Sequence, residues 1–138
     1  MTELSATTSE VIDRWIHADP DPRTVIRIET LRSDSESFDR AFGQPLKFGT
    51  AGLRGKMGPG PGSMNRLVMR VAAKAIANQL IADDLTQKGI VIGYDARIES
   101  DLYALDAARI FQSMSIECLL VEGPIPTPVL ARLVTSRG

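Results

Sequence analysis

A single cysteine, Cys118, and a single histidine, His17, are all that 138 residues contain of these two types. One cysteine excludes an intrachain disulfide and makes a reducing compartment the simpler setting. No Cys/His cluster has metal-ligand spacing. His17 falls in the last turn of the first expected helix, where it complements the helix dipole rather than serving catalysis. Charge of one sign is not in excess either: 16 Lys and Arg stand against 17 Asp and Glu, a formal net charge of −1. That balance excludes a chain built to coat nucleic acid or an anionic membrane. There is no basic-then-apolar leader in "MTELSATTSEVIDRW" and no apolar run long enough to span a bilayer. The expectation is therefore a cytoplasmic protein without nucleic-acid or membrane partners. Internal repeats and low-complexity tracts are lacking as well.

What is present suits one soluble domain with a real core: 43% of residues are hydrophobic and 24% charged. The first 43 residues read as a helical extension. Val11, Ile12, Trp15 and Ile16 share a helical face that Asp19-Pro20 terminates. Asp21-Pro22 restarts a helix, with Asp as N-cap and Pro at the first helical position. Val25, Ile26, Ile28 and Leu31 continue its apolar side, and "SFDRAFG" adds a short helical piece.

From residue 44 the texture changes. An extended "LKFGT" enters a glycine loop, and Asn65 caps a long helix, apolar on most sides and expected to be well buried. "GIVIGYDAR" and "IECLLVEG" read as buried strands, the second placing Cys118 in the core. Between them Ser100 caps a helix from Asp101 to about Met114. "PIPTP" and a barely begun helix, "PTPVLARLVTSRG", close the chain. Strand, helix, strand, helix, strand with short connections argues for an α/β sheet covered on both faces.

The segment "PLKFGTAGLRGKMGPGPGSMN", residues 45–65, puts glycines and prolines around Arg54 and Lys56. Two readings stand open for it: a loop that wraps an anion through free N–H groups, or a chain turning a tight corner. Its spacing fits neither the dinucleotide fingerprint nor a phosphate loop ending in Gly-Lys-Ser/Thr. Arg54, among residues of little bulk, can offer a bidentate fork to a phosphate or form a salt bridge that pins the loop. Asp95 in "GYDAR" sits at a strand's C-terminal end, where it could bind a metal, act as a base, or make a local turn with an ion pair to Arg97. Thr135-Ser136, beside Arg137, has no histidine or acid near it in sequence to activate a nucleophile. Met57, Met64 and Met69 read as gap-filling residues.

"FGTAGLRGKMGPGPGSMN", then "VIGYDAR", then "PIPTP", in that order and spacing, resemble the first domain of the α-D-phosphohexomutases. The likeness is to the branch of phosphoglucomutases, phosphomannomutases and phosphopentomutases, and is strong from Phe48 to about Pro128. It implies a three-layer α/β/α domain with a mixed, mostly parallel sheet over 44–138, preceded by the helical extension 1–43. It also implies a phosphosugar mutase, an isomerase of carbohydrate metabolism. In that family a phosphoserine donates its phosphoryl group to a hexose or pentose phosphate, a bisphosphate reorients, and its other phosphate returns to the serine. The family uses Mg²⁺ and a sugar bisphosphate activator, with metal, sugar and distal phosphate loops on further domains expected in cis.

Residue by residue, Arg54 matches the arginine that in the family reaches the catalytic phosphate, and Thr50 and Gly52 match its backbone-shaping neighbours. Asp95 and Arg97 match structural support at the strand end, and Pro126 to Pro128 the turn ahead of the helix before the serine loop. No catalytic or metal residue carries across, since the family's "TASHNP" serine loop would lie beyond Gly138. The expectation is of a first domain truncated before that loop and inactive by itself, or else of a non-catalytic phosphate-binding or partner-pairing domain. An unpaired sheet edge and exposed apolar helix face should then leave the isolated 138-residue chain poorly soluble or partly molten. Its thermal denaturation should be broad; a sharp cooperative transition would contradict this.

Overall fold

A computed structural model describes residues 6–136 of the chain. Residues 1–5, where the expected extension begins, and Arg137 and Gly138 lie outside the described residues. Two units of packing divide the chain, Met1–Val68 and Met69–Gly138. Among the described residues, no helix is long and apolar enough to cross a membrane.

The first unit opens with three helices, α1 (Ala6–Ala18), α2 (Thr24–Leu31) and α3 (Ser35–Phe42). One residue from each, Ile12, Ile28 and Phe38, is buried in a common cluster, and Trp15, Ile16, Leu31 and Phe42 pack around it. Phe38 stacks on Phe42 with ring centroids 5.1 Å apart, and Trp15 meets Phe42 edge-on at 6.3 Å. Burial of these large side chains, not helix propensity, holds elements this short together. The apolar face expected on α1 is thus the one used. On α2 the outcome differs: Val25 and Ile26 are exposed, because eight residues present one stripe, and Thr24, Ile28 and Leu31 occupy it.

The α1–α2 joint is polar and buried. Asp19 accepts hydrogen bonds from Trp15 Nε1 (3.1 Å), Thr24 Oγ1 (2.6 Å) and the Asp21 N–H (3.0 Å). Asp21 accepts from the Arg23 N–H (2.9 Å) and pairs with both the Arg23 and Arg27 guanidiniums (2.9 and 2.8 Å). The helix therefore starts at Thr24, with Arg23 at the N-cap position, and not at Pro22. Asp21 closes the turn before the helix instead of capping it. Asp34, by contrast, caps α3 by accepting from the Ser37 N–H (3.3 Å).

In the second unit the long helix α4 (Arg66–Ala82) is followed by β3 (Ile90–Ile92), α5 (Ser100–Ser113), β4 (Cys118–Leu120) and α6 (Thr127–Ser136). The first unit's two short strands, β1 (Phe48–Gly49) and β2 (Gly52–Leu53), precede them. β3 and β4 pair in parallel, Ile90 opposite Cys118 and Ile92 opposite Leu120, with α5 as the crossover. Ala73, Ala77, Ala107, Phe111 and Ile116 form the core, joined by Leu80, Ile90, Ile92 and Cys118. Burial raises the Cys118 thiol above its ordinary pKa, as befits a packing residue. Arg70 on α4 pairs with the fully buried carboxylate of Asp106 on α5 at 2.7 Å.

The class is α/β, with several departures from expectation. "LKFGT" does not extend the parallel pair: Phe48–Gly49 fold back antiparallel onto Gly52–Leu53. The Thr50–Ala51 connection is only two residues long, and Gly52 at φ +90° lets it close. β3 and β4 are half-buried and three residues each. α4 buries only its alanine stripe, leaving Val71, Ile76 and Ile81 exposed. Glu99, in a left-handed conformation, occupies the N-cap position of α5 without a side-chain cap bond, and the Ser100 hydroxyl is committed to Asp95 instead. α6 is a ten-residue helix.

The Asp21 carboxyl is subject to opposing influences. Burial raises its pKa, but the hydrogen bonds from Arg23 and the charges of Arg27 and Arg23 outweigh burial and hold it below 3.8. A carboxylate with a depressed folded pKa stabilises the fold above its unfolded pKa of about 3.9, and that contribution disappears as pH falls through the folded value. Asp21→Asn should therefore lower the melting temperature at about pH 7, with the gap to wild type closing toward about pH 2. A gap of constant size across that range would show that charge is not its origin.

Candidate functional site

The glycine loop follows directly from α3 and ends at α4. Five of its backbone donors are spoken for. The Gly62 N–H donates to the Ala41 carbonyl (2.8 Å) and the Leu46 N–H to the Pro61 carbonyl (2.9 Å). Within the loop, Met64 N–H donates to Lys56 O (2.8 Å), Gly58 N–H to Met64 O (3.1 Å) and Ser63 N–H to Gly60 O (3.2 Å). Asn65 completes the arrangement. Its side-chain amide donates to the carbonyls of Gly58 (2.9 Å), Gly60 (2.9 Å) and Ser63 (3.1 Å), while Oδ1 accepts from the Val68 N–H (2.9 Å) and caps α4.

The glycines here are steric necessities. A Cβ on Gly62 would run into the Arg40 carbonyl and lie 2.8 Å from that of Gln44; one on Gly60, at φ +89°, would meet the Ala41 carbonyl. Over 58–65 the corner-turning reading thus prevails, and the segment is a rigid plug against the end of α3 rather than an anion cradle.

The open backbone lies earlier, on the β1–β2 hairpin. Thr50 and Ala51 form its exposed tip, Gly52 is half-buried with nothing near its Cβ position, and Arg54 follows β2 directly. Arg54 is exposed and has no ion pair or side-chain hydrogen bond among the described residues. Its surroundings are one-signed: residues 40–82 contain seven lysines and arginines and no aspartate or glutamate. No acid lies nearby in sequence to neutralise the guanidinium. This run of one sign is a signal that residue-by-residue motif reading overlooked.

Asp95 and Arg97 belong to the second unit and are described there. The Asp95 carboxylate accepts from the Ser100 hydroxyl (2.8 Å) and the Arg97 N–H (3.1 Å), and pairs with Arg97 Nε (3.1 Å). Those bonds, the Ser100 hydroxyl foremost, hold its pKa below the ordinary carboxylate value. A carboxylate so engaged is a poor base and organises the β3–α5 turn. The groove at this strand end, about 320 Å³, is lined by Tyr94, Asp95, Ser100, Tyr103 and Thr127 among others. Tyr94 contributes structurally, accepting the Gly123 N–H on its hydroxyl (3.2 Å).

Among the described residues, Thr135 and Ser136 bond back to the Arg132 and Leu133 carbonyls within α6. Met57 is 49% exposed, not a gap-filler, because the bridge to Met64 sets it at the loop surface. Sequence reading took Asn65 for a helix cap and missed its second task; an amide at the end of a Gly/Pro-rich loop is the pattern that could have found it.

A hairpin carrying Gly-Thr-Ala-Gly-Leu-Arg, a clamped glycine loop and a β–α–β unit with Asp-Ala-Arg after its first strand follow one another along the chain. Residues 45–138 match the family described as phosphoglucomutase/phosphomannomutase, alpha/beta/alpha domain I, and the chain belongs to that family. The human phosphopentomutase is 35% identical over 125 residues, covering 83% of this chain and 20% of that protein. The phosphoglucomutase of Staphylococcus haemolyticus is 39% identical over 104 residues, covering 72% of this chain and 19% of its own length. The probable phosphomannomutase of Haemophilus influenzae is 41% identical over 68 residues, 49% of this chain and 14% of its own. The chain spans about a fifth of the length of the curated relatives it matches. No solved structure matches it.

Substitution separates the two glycine roles. Gly62→Ala and Asn65→Ala should each destabilise the protein by about 3 kcal/mol, through a backbone clash and through orphaned carbonyls respectively. Gly52→Ala, with open space around it, should cost only the strain of its positive φ, about 1 kcal/mol. Urea unfolding measures all three; equal losses would refute the distinction.

Proposed function

We propose that this chain is the N-terminal domain of a phosphosugar mutase, an isomerase that moves a phosphoryl group between the 1-position and the 6- or 5-position of a hexose or pentose phosphate. The route is a phosphoserine and a sugar bisphosphate intermediate, the bisphosphate also serving as activator. The remaining domains are supplied in cis, in keeping with relatives about five times as long. The domain is a three-layer α/β/α one with a mostly parallel sheet, and the protein works in the cytoplasm.

The observation that carries this reading is Arg54: an exposed guanidinium without an ion pair among the described residues, projecting from a hairpin whose far side is fixed by the Asn65 clamp. In phosphoryl transfer the work is positioning and charge stabilisation. Arg54 provides two parallel N–H donors to the non-bridging oxygens of the phosphoryl group, where negative charge sits before, during and after transfer. Thr50 and Gly52 shape the hairpin that delivers it. Asp95 and Arg97 hold the turn after β3 and touch no substrate.

Mg²⁺ would supply further charge neutralisation in the complete enzyme. Among the described residues no group of three or more His, Cys, Asp or Glu could hold it. The described residues therefore do not fit a metal site, and none of the roles assigned above passes through one.

In the intact enzyme, Arg54→Ala should lower turnover of glucose 1-phosphate or ribose 1-phosphate by about 10²–10³-fold, the scale of losing one charge-stabilising donor. Its melting temperature should be unchanged, since the side chain holds nothing in place. Near-normal turnover would sink the assignment. Binding of either sugar phosphate with no turnover in the wild type would instead favour the non-catalytic phosphate-binding domain.

A further inference from the structure

The two strands of the β1–β2 hairpin stay opposed beyond their two paired residues. In the ladder Phe48 faces Leu53 and Gly49 faces Gly52. Past the ladder's open end, Leu46 lies against Gly55: a Cβ on Gly55 would come within 2.8 Å of Leu46 Cδ2. The residues between these two fixed points are Lys47 and Arg54. The antiparallel register, continued by one residue, therefore sets Lys47 opposite Arg54. Leu46 is itself held, its N–H donating to the Pro61 carbonyl (2.9 Å), so this end of the hairpin has a fixed base.

Cations opposed in this way repel, and like charges facing each other across two strands destabilise a ladder. Nothing printed by the fold relieves the repulsion. Both residues are exposed, and neither has an ion pair or side-chain hydrogen bond among the described residues. No aspartate or glutamate occurs from residue 40 to residue 82 to answer them.

Alternation along the strands supplies a second, independent feature. Residues two apart share a face, so Gly49 and Gly52 lie on the side that carries Lys47 and Arg54, with Phe48 and Leu53 on the other. The hairpin thus shows bare backbone beside its two cations. The space over that backbone is open. A Cβ at Gly52 would meet nothing within 4 Å, and one at Gly49 only the Gly52 carbonyl oxygen at 3.8 Å. Glycines in such a place let a ligand lie directly against the main chain.

We propose that Lys47 is a second phosphate-holding residue, and that it and Arg54 grip one phosphoryl group from opposite strands over the bare floor of Gly49 and Gly52. The two cations act differently. Arg54 offers its planar fork to two non-bridging oxygens, and Lys47 sets a compact, rotatable point charge on the third. A dianion between them turns a repulsive pair into an attractive triad. The proposal rests on the mutase reading for which molecule carries the phosphate; the grip on a phosphate dianion does not.

The test uses the full-length protein with ¹⁵N-labelled glycine, titrated with inorganic phosphate against chloride at constant ionic strength. The Gly52 amide should shift saturably while Gly89, in the second unit, stays still. Lys47→Gln should weaken this binding about threefold, and Lys47→Arg should restore it. Gly49→Val, at a position without a positive φ, should also weaken it by filling the floor, with no loss of melting temperature. In chloride the melting temperature of Lys47→Gln should not fall, because the change removes a repulsion and no bond. An unmoved Gly52, a Lys47→Gln titration equal to wild type, or a lower melting temperature for Lys47→Gln would each overturn the proposal. Turnover judges the mutase reading separately: kcat/KM for glucose 1-phosphate or ribose 1-phosphate should fall about tenfold in Lys47→Gln. Undiminished turnover in that variant would overturn the role of Lys47. A wild type that turns over neither sugar would sink the mutase reading instead, and the phosphate titration alone would then decide the grip.

Discussion

Everything around the candidate site in the first unit depends on one amide. Asn65 ties three carbonyls of the glycine loop together with one end of its side chain and starts α4 with the other. Carbonyls so folded inward would otherwise face each other without donors, an arrangement that buried backbone does not tolerate. Because the loop is closed in this way, it can lie flat against the end of α3, where Gly62 and Gly60 leave no room for a side chain. The hairpin then has a firm base, and Arg54 leaves it at a defined place.

Charge placement gives that geometry its chemical meaning. Acids are confined to the residues before 40 and to the segments after residue 82. In those regions they are structural: Asp19 and Asp21 build the α1–α2 joint, Asp34 caps α3, Asp95 closes the turn after β3, and Asp106 answers Arg70. The hairpin and loop between them are left without local counter-charges. A cation there is drawn to whatever anion arrives, since nothing in the segment competes for it.

Much of this was legible beforehand. The periodicity of Val11, Ile12, Trp15 and Ile16 located α1, and the β-branched runs located β3 and β4, because both signals arise from burial of one face. The hairpin arginine was visible through its glycine context. Other features were not, for physical reasons that can be named. Whether a glycine loop cradles an anion or turns a corner depends on where its N–H groups point, which no residue type encodes. Pro22 looked like a first helical residue, but a neighbouring aspartate with two arginine partners makes a tighter turn than a cap. Ile26 looked like core because spacing alone does not say which stripe of an eight-residue helix is covered.

The hairpin itself has two residues per strand, and its ladder pairs only Phe48 with Leu53 and Gly49 with Gly52. So few cross-strand bonds, with Phe48 largely exposed, place it at the low end of local stability, whereas the loop that follows is cross-tied at nearly every residue. The backbone on the two sides of Arg54 therefore relaxes on different timescales. Toward the tip it opens and recloses quickly; toward Asn65 it moves only when the surrounding structure does. An arginine at such a boundary is an arm on a stiff shoulder, free to sweep a short arc without losing its point of attachment.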